Sequence, residues 1–528
     1  MFLVKPRKVV IAEQQHEILE RTLTLPDLLA IGIGGTVGSG VFVLTGLIAH
    51  EYAGPGVVWS WVIAGFGCAF SALSYAEMAS RVPSAGSSYA YVYTTLGELP
   101  AVIAGWCLTL EYGLSGAAVA RSWGEKVVSW ADSIGMEIWA PLDPGVGVNI
   151  FAALLQAATV VLLLGGVNIG KNVVNFFTVL KMVLVLFMII GGLSLFRASN
   201  VSNWAPMGFS GILRGSTSAF FGYLGYDEVC CLAAEAKNPQ DTLPKAVFGT
   251  IGTVTVLYSL AALALAGMMN YEDIDENSGF SEAFKDRGWT WAQQLVAVGE
   301  IVTLPLVVLI SFIAQPRLQF ALSQDGLLPK FFGQVDSSGN LRNSIIVSGI
   351  ILTVVALFVP FTYLDGMISA GVLLSFNLTN SALIVTHRHS DLVPIPTRRF
   401  SCKAILFLYN LIAFVSSFLL VYCDLSSAVV AVPVFLSLVL VYLAYYISLY
   451  PENEDPHKSE QYRVPYMPYP PLIGIYVNYF LVAQLEWWGI TMIFGYFGLA
   501  TVVYFIYGVK HSVGNSTGWS ELLGESHV

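Results

Sequence analysis

The sequence predicts an all-α membrane protein with about fourteen transmembrane helices. Hydrophobic residues make up 55% of its 528 positions and charged residues only 11%, whereas a soluble domain has about 25% charged residues. The apolar residues also occur in blocks of about 20, the length that a helix needs to cross a hydrocarbon core roughly 30 Å thick. Because backbone groups in lipid must be satisfied within their own segment, these blocks indicate helices.

Fourteen apolar segments follow one another along the chain. They run Leu25–Ala49, Val57–Ser80, Ala101–Ala120, Val148–Gly166, Val173–Leu195, Gly215–Ala234, Ala246–Met269, Ala292–Leu322, Ser344–Phe361, Gly366–Thr386, Ala404–Tyr422, Ser427–Leu449, Leu472–Gln484 and Trp488–Tyr507. Lys and Arg are concentrated in the connecting segments that are cytoplasmic if the N-terminus is inside. The sequence therefore predicts that the tails 1–24 and 508–528 are both cytoplasmic.

Charge and cysteine usage exclude several classes of function. The net charge of −10 argues against a nucleic-acid partner. The six cysteines lack the spacing of metal ligands. The sequence also shows no nucleophile–base pair of the kind that would indicate an enzyme. We therefore expect no cofactor and no metal. Asn200-Val-Ser202 lies in a loop predicted to be external, and it is a candidate for N-glycosylation.

Two of the predicted spans are rich in glycine. The first contains five glycines within nine residues of its segment Ile31–Phe42, and the sixth contains Phe220–Asp227, which reads FFGYLGYD. Each glycine inside a helix costs about 1 kcal/mol relative to alanine, so these stretches predict breaks. Close helix packing is the alternative interpretation. Because the two spans are five apart, they are where two five-helix repeats would each contribute a broken helix to a transporter's central site.

A pair of broken helices suits an α-amino acid. The free N–H groups at the start of a half-helix can bind a carboxylate. The carbonyls freed on the other side of a break can bind an ammonium. The sequence thus predicts recognition of both charged groups by backbone atoms alone.

Several segments resemble a known family. Those similar to the amino acid–polyamine–organocation superfamily are Gly35–Gly46, Phe221–Asp227, Glu235–Gln240 and Gln315–Pro329. Within that superfamily the chain most resembles the cationic amino acid transporters, on Gly97–Glu98, Gly105–Trp106, Val119–Trp123 and the stretch 464–512. The resemblance implies two inverted five-helix repeats forming a ten-helix transport core over 25–386. Four additional transmembrane helices would follow over 387–507.

The resemblance also implies where a substrate binds. Six residues at the two breaks would contact the amino acid: Thr36, Gly38, Ser39, Gly40, Phe221 and Leu224. The carboxylate would bind at Ser39 and Gly40 and the ammonium at the carbonyls of the sixth helix, with Phe221 as a gate. Ser311 lies where cationic transporters resemble one another in having a small polar residue, so it could leave room for a long side chain; simple packing is the alternative.

Three of the ionisable side chains inside spans are candidates for function, because a charge there costs about 2.5–3.5 kcal/mol. Glu111 is expected to recognise the substrate side chain or relay a proton, or else to tie helices together by a hydrogen bond. Asp227 is expected either to contact the substrate directly or to stabilise its helix as a hydrogen-bond acceptor. Lys181 resembles a lysine that replaces a sodium ion in sodium-independent relatives, and a structural ion pair is the alternative. Proton coupling stays open.

Taken with the resemblance, these features predict a sodium-independent transporter of amino acids that works by alternating access. Cationic amino acids (arginine, lysine and ornithine) are the first expectation. The alternatives are neutral amino acids, polyamines, and a sensor that binds amino acids without transporting them. We expect a multi-pass protein of the plasma membrane, or of a vacuolar or other internal membrane, with no partner subunit.

Overall fold

The structure is a computed structural model that describes residues 3–6, 9–10, 21–38, 40–136, 147–275, 278–337, 339–388, 401–422, 431–452, 461–485, 487–516 and 518–519. Regular structure in these ranges is helical and includes no β-strand, apart from one isolated bridge between Leu23 and Ala236. Nine of the described helices are long and apolar enough to cross a membrane, and four more are apolar but shorter. The predicted all-α membrane protein is confirmed.

Each of the fourteen predicted spans is helical within the described residues. In chain order they are α1 (Leu25–Thr36, then 40–53), α2 (Val57–Arg81), α3 (98–133), α4 (Ile150–Leu164), α5 (Val167–Ser194), α6 (Gly208–Phe221, then Glu228–Cys231), α7 (Pro239–Met268), α8 (Thr290–Gln324), α9 (Arg342–Phe358), α10 (Phe361–His387), α11 (Cys402–Tyr422), α12 (Ala431–Ser448), α13 (Tyr469–Val482) and α14 (Trp487–His511).

Several helices extend beyond the apolar segments that predicted them. α3 continues to Ser133, α6 begins at Gly208 and α7 begins at Pro239. An apolar segment marks only the part of a helix that lies in hydrocarbon, whereas the helix itself ends where its backbone is capped. α7 begins after Asn238, whose φ is 50°, with a proline in its first turn, a position where proline costs no hydrogen bond.

Local sequence also sets the start of α1. The Thr24 backbone N–H and hydroxyl both donate to Asp27 Oδ2, at 2.9 and 2.6 Å. Thr24 is the N-cap and Pro26 lies in the first turn, both of which are typical of the start of a helix.

Helices five places apart in the chain pack against one another. α1 contacts α6, α2 contacts α7, α3 contacts α8 and α4 contacts α9. Because five spans are an odd number, the second group enters the membrane from the opposite side to the first. The ten helices thus form two inverted repeats. Of the last four, α13 packs on α2 and α10, α14 packs on α3 and α10, and α12 packs on α11 at the periphery.

Candidate functional site

Both predicted breaks are present. α1 ends at Thr36, Val37 leaves the helix with ψ near 97°, and helical structure resumes at Gly40. Ser39, a predicted carboxylate ligand, lies outside the described residues. α6 ends at Phe221, and its next helical residue is Glu228. The turn between them passes through Gly225 at φ 106°, a conformation that glycine adopts without steric cost.

The two breaks lie directly against each other. A Cβ at Gly40 would be 3.0 Å from the Gly222 Cα, and a Cβ at Gly225 would be 3.3 Å from the Gly35 carbonyl carbon. Backbone therefore meets backbone at both points, which a larger residue would prevent. The glycines serve the close packing that was the alternative interpretation, and they do so at the breaks themselves.

Aromatic side chains from α2 and α7 brace the breaks. Tyr258 donates its hydroxyl hydrogen to the Thr36 carbonyl at 2.8 Å, and its ring lies 4.4 Å from the Trp61 ring. Tyr223 donates to the Trp61 carbonyl at 2.8 Å. One carbonyl freed by the break is therefore already bound by protein, while the Thr36 hydroxyl is buried without a hydrogen-bond partner among the described residues.

Lys181 reaches the same break from α5. Its ammonium donates to the Val37 carbonyl at 2.6 Å and to the Gly34 carbonyl at 2.9 Å, and the side chain is fully buried. In the described residues no carboxylate forms an ion pair with it. The structural ion pair considered as an alternative is therefore absent there, and backbone carbonyls take the charge instead.

Acidic side chains gather beside the α6 break. The carboxyl groups of Glu111 and Asp227 face each other, and the Tyr112 hydroxyl donates to Asp227 Oδ2 at 3.2 Å. Glu228 accepts a hydrogen bond of 2.8 Å from the Ser311 hydroxyl. All three acids are buried. Ser311 thus has a specific polar partner that the sequence did not suggest.

A cavity of about 1360 Å³ opens at one end of the bundle. Phe221 and Leu224 line it where it meets the α6 break, and charged residues such as Glu125, Asp275 and Glu282 line it nearer the connecting segments. We call this the open end. Thr36, Gly38, Gly40, Glu111, Asp227 and Ser311 are buried and do not line this cavity. Of the described residues predicted for the site, only Phe221 and Leu224 line the cavity.

The opposite end, which we call the closed end, is held by a buried ion pair. Arg317 Nε donates to Glu235 Oε1 at 2.7 Å and Nη2 donates to Oε2 at 3.3 Å, and both side chains are at most 5% exposed. Leu23 donates its N–H to the Glu235 carbonyl, and Lys237 donates to the Leu23 carbonyl. The segment before α1 is thereby bound to the segment after α6.

Residues near both chain ends also meet at the closed end. Lys5 Nζ lies 2.6 Å from Asp325 Oδ1, and the Tyr89 hydroxyl donates to Asp325 Oδ2 at 2.7 Å. Val513 donates its N–H to the Asp325 carbonyl. The residue that follows α8 is thus a shared anchor for the two terminal segments, which the sequence did not indicate.

Four side chains have roles or partners that were not predicted from the sequence. Glu228 was available as a second acid directly after Asp227 in an apolar stretch, and this doublet was the signal. Arg317 and Glu235 both lie in segments that carry the family resemblance, but nothing in their spacing of 82 residues predicts that they form a pair. Tyr258 gave no signal, because a tyrosine in an apolar helix is common and its partner is a carbonyl.

Comparison with known proteins agrees with the family resemblance seen in the sequence. The family model described as amino acid permease matches residues 23–444. The methylthioribose transporter of Bacillus subtilis is 35% identical over 396 residues, which cover 74% of this chain and 86% of that protein. Cationic amino acid transporter 1 of Arabidopsis thaliana is 32% identical over 517 residues, which cover 94% of this chain and 84% of that protein.

The vacuolar cationic amino acid transporter 4 of Arabidopsis thaliana is 36% identical over 379 residues, or 70% of this chain, and the chain spans only 63% of that relative's length. These matches support amino acid transport, and they indicate a transporter and not an enzyme. Nine helices in the described residues are long and apolar enough to cross a membrane, and together with these matches they indicate an integral membrane protein. The chain belongs to the amino acid permease family of the amino acid–polyamine–organocation superfamily.

Proposed function

We propose that this protein carries cationic amino acids (arginine, lysine and ornithine) across a membrane without sodium. The observation that carries the proposal is the buried pair of carboxyl groups of Glu111 and Asp227 beside the α6 break. In the described residues no basic side chain forms an ion pair with either acid. A carboxylate buried without a cation is costly, so a cationic side chain of the substrate supplies the missing charge.

The substrate's backbone groups bind at the two breaks. Its carboxylate is taken by N–H groups of the stretch 36–40, comprising Thr36, Gly38, Ser39 and Gly40. Its ammonium is taken by the carbonyls of Phe221 and Leu224. This assignment is supported by Phe221 and Leu224, which line the cavity where it meets the α6 break. The same position would allow the Phe221 side chain to act as a gate.

Transport proceeds by alternating access of this site to the two sides of the membrane. The cavity at the open end and the Arg317–Glu235 pair at the closed end support this mechanism. Residues 25–386 are the transport core, 387–507 add four helices, and both tails are cytoplasmic. The basic residues favour this orientation, which makes the open end external.

Lys181 accounts for the absence of a sodium requirement. Its ammonium binds two carbonyls at the α1 break, where it supplies the positive charge that a sodium ion would otherwise supply. Whether protons are coupled depends on charge changes during the cycle, and uptake with an imposed pH gradient measures this directly.

The plasma membrane is the proposed location, with a vacuolar or other internal membrane as the alternative. Glycosylation of Asn200 is compatible with its surroundings. Its side-chain amide donates to the Gly267 carbonyl at 3.0 Å, and an N-linked glycan leaves one amide hydrogen to keep this bond. A shift in electrophoretic mobility after glycosidase treatment, absent in Asn200→Gln, tests the modification.

A second candidate is a neutral solute. The relationship to a methylthioribose transporter over 86% of that protein favours it. Neutral amino acids could bind at the two breaks, but they lack a cationic side chain for the buried acids. Polyamines could bind at the acids, but they lack a carboxylate for the α1 break. A sensor that binds without transport is the remaining alternative.

Uptake into proteoliposomes containing only the purified protein separates these functions. Labelled arginine, alanine, putrescine and methylthioribose are supplied in sodium or choline buffer, with protein-free liposomes as the control. We expect arginine uptake that is equal in the two buffers. Uptake of methylthioribose alone would replace the proposal with the second candidate, and arginine binding without uptake would indicate a sensor.

A further inference from the structure

The proposed transport of cations bears on a third carboxyl group in the site, that of Glu228. On the basis of the proposed function, we infer that Glu228 forms with Glu111 and Asp227 a proton-holding cluster from which a cationic substrate displaces a proton. Glu228 is then a residue that determines substrate charge and couples substrate binding to proton release. Nothing in the sequence motifs assigned it a role.

The three carboxyl groups have more acceptor atoms than donors. Four of their oxygen atoms are buried and accept no hydrogen bond from the described residues: both oxygens of Glu111, Oδ1 of Asp227 and Oε2 of Glu228. The donors present are two hydroxyls, from Tyr112 to Asp227 and from Ser311 to Glu228. Relative exposure of the acids is 3%, 0% and 3% for Glu111, Asp227 and Glu228, so bulk water does not supply the missing donors.

The free oxygen of Glu228 is directed at the α1 break. It lies 2.7 Å from the position that a Cβ of Gly35 would occupy, so the absence of a side chain at Gly35 makes room for it. Gly35 is the residue before Thr36, at the end of the first half-helix. The third carboxyl group therefore belongs to the same space between α1 and α6 as the proposed substrate site.

Lys181 does not neutralise this cluster. The preceding residue of α1, Gly34, faces α5, where a Cβ would lie 2.4 Å from the Thr178 hydroxyl. Lys181 is on this face and is bound to carbonyls. The basic side chain of α8, Arg317, is paired with Glu235. Lys181 and Arg317 are thus bound to groups other than the three acids.

The other titratable groups around the cluster are weak acids. They are Cys68 and Tyr75 from α2, Cys107 and Tyr112 from α3, and Tyr226, Cys230 and Cys231 from α6. α8 contributes the Ser311 hydroxyl. None of these groups carries a positive charge, so the neighbours within the described residues cannot balance three carboxylates.

Charge balance then requires protons or a bound cation. Neighbouring carboxylates in a low-dielectric site cannot all be ionised, and one of them holds a proton at a pH where an exposed carboxylate would be charged. A bound guanidinium or ammonium supplies one positive charge and permits one proton to leave, which keeps the site's net charge constant. Cation and proton thus compete, so affinity for the cation rises with pH, by about tenfold per pH unit for each proton displaced.

Titration calorimetry on the purified full-length protein in detergent tests the inference. Arginine and alanine are titrated in phosphate and in Tris, whose different ionisation heats give the number of protons released per ligand bound. We expect about one proton released per arginine and none per alanine. Arginine affinity should rise by about tenfold per pH unit over the range in which the proton is lost.

The decisive variant is Glu228→Gln, which can still accept the Ser311 hydrogen bond. We expect its arginine affinity to fall by at least about tenfold and its proton release to fall to less than half, while alanine affinity changes little. Glu228→Asp keeps a carboxyl group and should retain the proton release. Asp241→Asn, at an exposed position in the first turn of α7, is the matched control and should behave as the wild type.

The outcomes separate this inference from the proposed function. Arginine binding without proton release, or unchanged proton release in Glu228→Gln, overturns the cluster and leaves cationic transport intact. Alanine binding with no arginine binding overturns both. If Glu228→Gln fails to fold, which size-exclusion chromatography would reveal, the absence of proton release from the wild type still overturns the inference.

Discussion

The Lys181 ammonium lies 2.6 Å from the Val37 carbonyl oxygen and so caps the end of the first half of α1 from a neighbouring helix. The same ammonium takes the Gly34 carbonyl. A half-helix C-terminus carries partial negative charge, which an ammonium stabilises. In the membrane interior water is not available for such carbonyls, so Lys181 and Tyr258 together supply the donors that the break in α1 requires.

Replacing Lys181 by methionine is expected to reduce transport sharply. Methionine has a similar length but no donor, so two buried carbonyls lose their partner at about 1–3 kcal/mol each. Wild-type uptake is expected to be the same in sodium and in choline buffers. Uptake into proteoliposomes and thermal unfolding of both proteins measure the two effects. Strict sodium dependence of the wild type would refute the replacement of sodium by lysine.

Gly40→Val is expected to abolish uptake while the protein remains folded. A β-branched side chain at this position would fill the proposed carboxylate site. The structure adds that a Cβ there would lie 2.8 Å from Tyr258 Oη and 3.0 Å from the Gly222 Cα, so the two breaks could not keep their contact. The matched control is Gly252→Val in α7, where no heavy atom lies within 4 Å of a Cβ. Normal uptake by Gly40→Val would contradict the site at α1.

The sequence predicted the fold because each of its determinants is local or periodic. Apolar blocks of helical length indicated the spans, and the glycines between Ile31 and Phe42 indicated the first break. Helix ends were less accurate: α3 runs to Ser133 although its apolar segment ended at Ala120. Membrane thickness determines the apolar length, whereas capping determines where a helix stops, and only the former is visible in hydropathy.

The candidate site was predictable only in part. Glycine-rich breaks and intramembrane charges pointed to Gly40, Asp227 and Lys181. The partners of these residues depend on tertiary contact: nothing in the sequence shows that Tyr258 of α7 bonds the Thr36 carbonyl. Side-chain contacts between helices far apart in the chain have no local pattern, and a single sequence cannot reveal them.

Ser311→Met is expected to depress arginine uptake more than alanine uptake. The larger side chain would shorten the space for a cationic side chain, and it would also remove the hydroxyl that donates to Glu228. Ser311→Ala separates the two effects, since it removes the hydroxyl without adding bulk. Initial rates for the two substrates give the ratio. An equal fall for both substrates in Ser311→Met would indicate damaged packing and remove this support for cations.

The Arg317–Glu235 pair at the closed end yields a prediction about stability. Glu235→Gln leaves a buried guanidinium without its carboxylate, which is expected to cost about 3–5 kcal/mol. Combining Arg317→Met with Glu235→Leu should recover much of this loss, because apolar side chains replace both buried charges. Thermal unfolding monitored by tryptophan fluorescence measures all three proteins.

The matched control for this pair is Lys245–Asp241, an ion pair of the same 2.7 Å length whose side chains are 58% and 66% exposed. Lys245→Met should change stability by no more than about 1 kcal/mol, because solvent screens the exposed pair. The double variant at the closed end is further expected to be stable but poor in transport, since it lacks the polar contact between α8 and the segment after α6 that is proposed to form and break in each cycle. Wild-type transport by the stable double variant would show that the pair is structural and not a gate.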